Sequence, residues 1–485
     1  MSERVPMHTD KRKKEERRRK EQKIRITVVV LSVLLIVGLI MIVKSCGKEK
    51  GDSGEDAVET VVKPSAKPED AEEQEKKKRQ QLLAEADRLA VGYDYDAAIA
   101  LIQSYAEYDT YQEMTEAVSR YETAKAECVP VNVEEVTHIF YHSLVVDPDR
   151  AFANQDSDRQ AKGNNQWMTT IDEFNKITQS MYDEGYVLVD LHDIASQTVD
   201  ENGTVHFSEG TILLPPGKKA YVLSIDDLSY YHAYEKYGFA SKMVLDENGK
   251  PKCEYVQADG TTVVGDYDVV PLLDKFMEEH PDGAYRGARG TIALTGYNGI
   301  LGYRTDISYE TRPADIYKDK LKWLENHPEF SLEEERAKAK QVADAMKAEG
   351  WVFASHTWGH LRVASITLEQ LQADTTRWKE NIEPIVGSTD TIIFAHGEDL
   401  GDWRDYDQNS AKFQYLKSQG YNFFCNVDSR QYGVQVRDNY VRQSRRNLDG
   451  YRIYQNVIGN ENNLSDIFNA AEVLDPKRPP VLPLG

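Results

Sequence analysis

The sequence predicts an α/β protein whose main domain is a parallel sheet or barrel, preceded by one transmembrane helix and a short helical hairpin. Three observations predict it. From about residue 134 onward, strand-like and helix-like segments alternate, as parallel strands with short helical crossovers do. Before them, eighteen residues from Ile26 to Val43 carry no charge. Between the two lies an Ala-rich stretch with apolar residues at helical spacing.

The N-terminal elements follow from charge and hydropathy. Residues 1–25 hold eleven Lys or Arg against five Asp or Glu, leaving 48 basic against 76 acidic residues in the rest of a chain of net charge −22. A body that acidic excludes DNA or RNA as a partner, because phosphate neutralisation dominates such binding. The run 26–43 would span about 27 Å as a helix, close to the hydrocarbon core of a bilayer. The basic tail 1–25 keeps the N-terminus cytoplasmic. The run exceeds the ~7–15 apolar residues of a cleaved signal peptide, so 26–43 reads as a single-pass anchor to the cell membrane with an extracytoplasmic body. Residues 44–67 are charged, poor in large apolar side chains and broken by proline, the composition of a disordered stalk.

The stretch 68–128 then turns helical. Leu82, Leu83, Ala86, Leu89 and Ala90 form one stripe, "GYDYD" interrupts, and Ala97, Ala98, Leu101, Ile102 and Tyr105 form a second. Such a pair resembles a single tetratricopeptide-type hairpin, which buries its face poorly alone and is expected as a spacer, a dimer contact or a docking surface for a protein partner. The four cysteines, Cys46, Cys128, Cys253 and Cys425, make neither a disulfide scaffold nor a CxxC site.

The main domain is expected over 130–475, with an insertion at about 246–330 and a Pro-rich tail at 476–485. "TTIDEFNKITQSMYDEGYVLVDLHDI" reads as a helix capped by Thr169 or Thr170 and then a strand. In the insertion, turns are expected at Asn248–Gly249 and Asp259–Gly260. "SIDD", "ASHTWGH", "IIFAHGED" and "FFCNVD" all fall at predicted strand C-termini, where parallel α/β folds gather functional groups.

Two of these carry chemistry. His356 and His360, four apart, would share one face of a helix, as two ligands of one metal must. Asp226 and Asp227 follow "YVLSI"; two adjacent acids at a strand end can cap a turn or supply a metal ligand and a base. One carboxylate with two imidazoles makes a three-ligand set that leaves a position for water, and the second carboxylate is placed to take that water's proton.

"SIDDLSYY" resembles the first motif of the polysaccharide deacetylases, carbohydrate esterase family four, and "SHTWGH" is similar to that family's His-(Ser/Thr)-x-x-His motif. "HIFYHSL" and "AKAEGWVFASHT" resemble its connecting segments, and the resemblance spans about 134–460. It implies a distorted (β/α) barrel in which Asp227, His356 and His360 hold a divalent metal, zinc by default with Co, Ni or Mn fitting similar ligands. Asp226 would then be the base. The implied activity is removal of N- or O-acetyl groups from a cell-wall or extracellular glycan of the peptidoglycan or poly-N-acetylglucosamine type. Three departures are visible. Leu228 replaces the usual Gly, "FAHGEDLG" stands where an orienting arginine is expected, and no histidine follows His396. Arg289 or Arg304 would then replace the arginine, and His396 or His142 would protonate the leaving group. Tyr285, Tyr297 and Tyr303 are candidates to stack on sugars, with His142, Arg304 and Tyr303 taken as substrate contacts. The competing readings are a glycan-binding or scaffold protein on the same fold without turnover, and a metal-dependent hydrolase of another amide or ester.

Overall fold

The computed structural model describes residues 68–484. The basic tail 1–25, the expected transmembrane helix 26–43 and the stalk 44–67 lie outside them. Among the described residues no helix is long and apolar enough to cross a membrane. The described chain divides into two compact bodies, one holding 68–86 and 96–117 and the other 87–95 and 118–484.

Where a two-helix hairpin was expected there are three helices: α1 (Pro68–Val91), α2 (Tyr95–Gln103) and α3 (Gln112–Glu127). The expected corner falls at Gly92–Asp94, where Tyr93 takes a left-handed φ of 65°. Within the first body, the Arg79 guanidinium lies 3.9 Å over the Tyr111 ring and the Tyr105 hydroxyl donates to Glu75.

The second body is built on a closed barrel of seven parallel strands, β1 (Thr137–Tyr141), β2 (Lys219–Asp226), β3 (Thr291–Leu294), β4 (Val352–Ser355), β5 (Thr391–Ile393), β6 (Phe423–Val427) and β7 (Tyr440–Asn447). They follow one another around the barrel in chain order, and β7 closes the ring on β1 with Asn447 opposite Phe140. The strand Tyr186–Leu188 pairs with the first half of β2, on the edge that β3 occupies further along. Alternation sends Ile139, Tyr141, Leu223 and Ile225 outward into the main apolar core, where they meet Phe174, Ile177 and Met181 of α4 (Ile171–Asp183). Thr170 caps α4 in a full capping box with Glu173.

The other face of each strand points inward. Val222, Ala293, Ala354, Ile393, Cys425 and Val441 fill the lower barrel, while His138, Ser224, Asp226, Gln443 and Arg445 carry polar groups into the same interior. Between β2 and β3, the turns at Asn248–Gly249 and Asp259–Gly260 join three antiparallel strands, Ala240–Leu245, Pro251–Val256 and Thr262–Gly265. The crossover to β4 ends in α5 (Leu332–Ala348), and α6 (Leu368–Asn381) follows β4.

The last residues are not a loose tail. Arg478 forms a bidentate pair with Glu173, both side chains wholly buried, and Gln166 donates to the carbonyls of Leu482 and Pro483. Glu173 needs that partner, because a lone buried carboxylate is strongly disfavoured. Cys128, Cys253 and Cys425 are all free thiols.

At the N-terminal end of the barrel, His192 bridges Asp190 at 2.8 Å and Asp390 at 2.9 Å, clasping the chain after Leu188 to the start of β5. Burial opposes its charge, but the two carboxylates outweigh burial and raise the imidazole to about 10. Its contribution to stability is therefore complete below the unfolded pKa of ~6.5 and is lost as pH rises from there toward about 10. Denaturant midpoints at pH 6 and pH 9.5 should differ more in the wild type than in His192→Gln; equal pH sensitivity would remove this role.

Candidate metal centre

Five of the seven barrel strands deliver side chains to one mouth. β2 ends in Asp226, with Asp227 next; His356 follows β4 directly and His360 closes the turn after it; His142 follows β1; His396 lies just past β5; Arg445 is near the end of β7.

The paired histidines are not on a helix. After β4 the chain turns sharply, with Thr357 at φ 61° and His360 at φ 53°, both left-handed. L-residues resist that region, so something must hold it. Asp374 of α6 accepts the backbone N–H of Trp358 and of Gly359, each at 2.7 Å, and Thr357 Oγ1 accepts from Leu361 N–H. Gly296 is needed beside this turn, since a Cβ there would fall 2.4 Å from Trp358 Cδ1. Asp227 also has a positive φ of 59°, so the strained positions cluster at this mouth.

Ligand atoms of Asp227, His356 and His360 all lie within 4.8 Å of one another. His360 Nε2 is 3.5 Å from Asp227 Oδ2, and His356 Nε2 is 3.9 Å from Asp226 Oδ2. His356 Nδ1–H donates to the Ile393 carbonyl at 2.7 Å, which fixes the tautomer and aims the Nε2 lone pair at the cluster. Burial lowers the His356 imidazole to about 4, only partly opposed by the two aspartates, so it is a neutral donor. The donor set of two imidazoles and one carboxylate fits a divalent ion.

Asp227 Oδ1 is already engaged by the Tyr231 hydroxyl at 2.6 Å. Burial and the Asp227 charge keep Tyr231 protonated, so it is the donor. Tyr231 is also hydrogen-bonded to Thr295, whose hydroxyl must then donate to it. Oδ2 is left as the free ligand oxygen.

Asp226 is held differently. Arg445 Nη1 and Nη2 meet its Oδ1 and Oδ2 at 2.7 and 2.9 Å, a two-pronged pair with Arg445 wholly buried and Asp226 3 % exposed. Burial alone would raise the Asp226 carboxyl; the Arg445 charge and its hydrogen bonds hold it well below the usual carboxylate range. Behind the pair runs a chain of interior polar groups. Gln443 Nε2 donates to Val136 O, so its Oε1 faces His138 Nδ1 at 2.9 Å and that nitrogen carries the proton. His138 Nε2 then accepts from Ser224 Oγ at 2.9 Å, and Ser224 accepts from Arg445.

Other expected site residues are placed elsewhere. Arg289 pairs with Asp274 at the N-terminal side of β3. Arg304 is 4 % exposed and donates to the carbonyls of Tyr230 and Asn298, so neither is the orienting arginine. Tyr303 is buried in the main core and Tyr285 in the second core, which withdraws both as sugar platforms, whereas Tyr297 stacks on Tyr231 at 5.1 Å. Leu228 is wholly buried in the main core rather than covering the site. His396 is exposed, with its Nε2–H donating to the His360 carbonyl at 3.2 Å. Half-buried His142 lies close enough to lower both Asp226 and Asp227 by its charge.

Fold and site together define a hydrolase of the deacetylase type. Residues 322–422 match the family model described as polysaccharide deacetylase, a span that includes both paired histidines and His396. No curated protein matches the chain significantly. Among solved structures it is similar to a Streptococcus pyogenes deacetylase, PplD, in complex with acetate, at 13% identity over 67% of this chain and 94% of that one; the TM-score of 0.33 carries no argument.

Tyr231→Phe removes the anchor of Oδ1 while keeping the ring. Zinc affinity measured by chelator competition is expected to fall about 10- to 100-fold, the usual effect of losing a group that orients a ligand; unchanged affinity would show that Oδ1 needs no anchor.

Proposed function

We propose that the domain is a metal-dependent hydrolase, with zinc the best-fitting ion, that removes N- or O-acetyl groups from an extracytoplasmic glycan while segment 26–43 anchors it in the membrane. The observation that carries this reading is the convergence of Asp227, His356 and His360 beside an ionised, arginine-held Asp226. A divalent ion held there by Asp227, His356 and His360 would supply Lewis acidity, making water a nucleophile near neutral pH and polarising an acyl carbonyl.

The chain's own residues supply the rest. Asp226 accepts the proton of the attacking water. Both its oxygens bond Arg445, but an ionised carboxylate has about four acceptor sites, so two remain. Arg445 fixes the direction of that acceptor and keeps it ionised, and the His138–Ser224 pair fixes Arg445. His142 delivers a proton to the departing amine or hydroxyl. It is preferred to His396, whose Nε2–H is engaged with the His360 carbonyl and braces that ligand's turn. The buried Asp226 carboxylate, kept ionised by Arg445, favours turnover over a purely binding role, because a sugar-binding surface has no need of such a group.

The test is acetate release from N-acetylglucosamine oligomers and peptidoglycan by the zinc-loaded full chain. Asp226→Asn is expected to lower kcat about 100- to 10,000-fold with metal retained. His356→Ala is expected to lose metal and activity together. Equal release by wild type and both variants would overturn the reading.

A further inference from the structure

His356 and His360 are separated by Thr357, Trp358 and Gly359. Thr357 and His360 are both left-handed, so the direction of the His360 ring depends on how this short segment is held. Asp374 already closes the turn through two backbone N–H groups. Half-buried Trp358 nevertheless carries further attachments, from α6 and from the segment that follows β3.

The Trp358 carbonyl accepts the backbone N–H of Gly296 at 2.9 Å and of Tyr297 at 3.1 Å. Its indole Nε1–H donates to Asp306 Oδ2 at 3.1 Å, and the Arg377 guanidinium of α6 lies 4.8 Å over the ring. The ring is wedged against Gly296, where a Cβ would fall 2.4 Å from Trp358 Cδ1 and 2.9 Å from Nε1.

Asp306 is itself fixed. It is 1 % exposed, and its Oδ1 accepts from Lys320 Nζ at 3.1 Å and from the Ser308 N–H and hydroxyl. Lys320, on the helix Lys318–Glu325, is equally buried. Removing either partner would strand the other charge. The pair therefore pins Asp306 and offers the indole a charged acceptor, which makes the stronger kind of hydrogen bond.

A second line runs from Trp358 toward the other side of the ligand set. Tyr297, tied to the Trp358 carbonyl, stacks on Tyr231 at 5.1 Å with 15° between the rings, and Tyr231 bonds Asp227 Oδ1. The loop after β3 gives no ligand to the cluster, yet it touches what orients Asp227 after β2 and what orients His360 after β4. The mechanism above leaves Trp358, Asp306 and Lys320 without a role.

We propose that Trp358 is a positioning residue for the metal centre: held by Asp306 and Lys320, it sets His360 at the separation from Asp227 that one ion requires. The proposal rests on the reading of Asp227, His356 and His360 as metal ligands. The loop after β3 thereby braces the two ligand-bearing strand ends against each other. Freeing the indole lets the turn relax and changes the 3.5 Å separation of His360 Nε2 and Asp227 Oδ2, so an ion is held less tightly and in a different ligand field.

Zinc affinity by chelator competition and the visible absorption of the cobalt-loaded full chain test this, since the cobalt bands report ligand geometry directly. Trp358→Phe keeps a ring and removes the N–H. It should lower zinc affinity about tenfold or more, as loss of an orienting partner does, and shift the cobalt bands. Gly296→Ala pushes the indole aside while leaving every hydrogen-bonding group in place. It should act in the same direction, and it carries the test if the Trp358 variant is unstable. Trp323→Phe, a change on the helix of Lys320 at a ring that stacks on His327 instead, should alter neither readout. Wild-type zinc affinity and cobalt bands in both Trp358→Phe and Gly296→Ala overturn the proposal, as does an equal loss in Trp323→Phe. A wild-type chain that holds neither ion would instead overturn the ligand assignment on which the proposal rests.

Discussion

The mouth of the barrel depends on one buried ion pair, Arg445 with Asp226. Both charges are out of water, and neither is stable there alone: removing one partner of such a pair costs about 3–5 kcal/mol, against a total stability of roughly 5–15 kcal/mol for a typical domain. The pair also ties the last barrel strand to the second, across a ring that closes only when β7 meets β1. Barrel closure and the ionised state of Asp226 are therefore coupled. A chain that failed to close would leave Asp226 buried without its counter-charge, and burial would raise its pKa and neutralise it.

Around this pair the site is assembled from groups held by second partners. His356 is aimed by the Ile393 carbonyl, Asp227 by Tyr231, Arg445 by Ser224 and His138, and the turn between the histidines by Asp374. Left-handed backbone recurs around this mouth at Asp227, Thr357, His360 and His396. Such conformations persist only where surrounding contacts over-determine them, and here the contacts come from strands, a helix and an inserted loop. Ligand geometry is thus fixed before any ion arrives.

Much of this was legible in the sequence, for physical reasons that also explain the rest. Adjacent acids at the end of an apolar run and two histidines after the next but one barrel strand are local patterns, and local patterns survive in one dimension. Helix-face geometry for His356 and His360 was wrong because the spacing of four is compatible with a turn of two left-handed residues, which Asp374, fourteen residues beyond His360, stabilises. Arg445 was not legible. It lies 219 residues from Asp226, and its inward direction follows only from the register in which β7 closes the barrel. Arg289 and Arg304 were chosen from a glycine-rich stretch that suggests a loop near a ligand, but each satisfies local carbonyls or a local carboxylate. Tyr303 was misread likewise, since Tyr-rich inserted segments mostly pack, while Tyr231, adjoining the acidic motif, was overlooked.

The central claim is that Asp227, His356 and His360 hold the catalytic metal. X-ray absorption spectroscopy of the zinc-loaded full chain tests it most directly. The account predicts a first shell of nitrogen and oxygen with multiple-scattering features of two imidazoles, reduced to one in His356→Gln or His360→Gln with weakened retention of zinc. A shell without imidazole scattering, or one unchanged in both variants, would place the metal elsewhere and contradict the account.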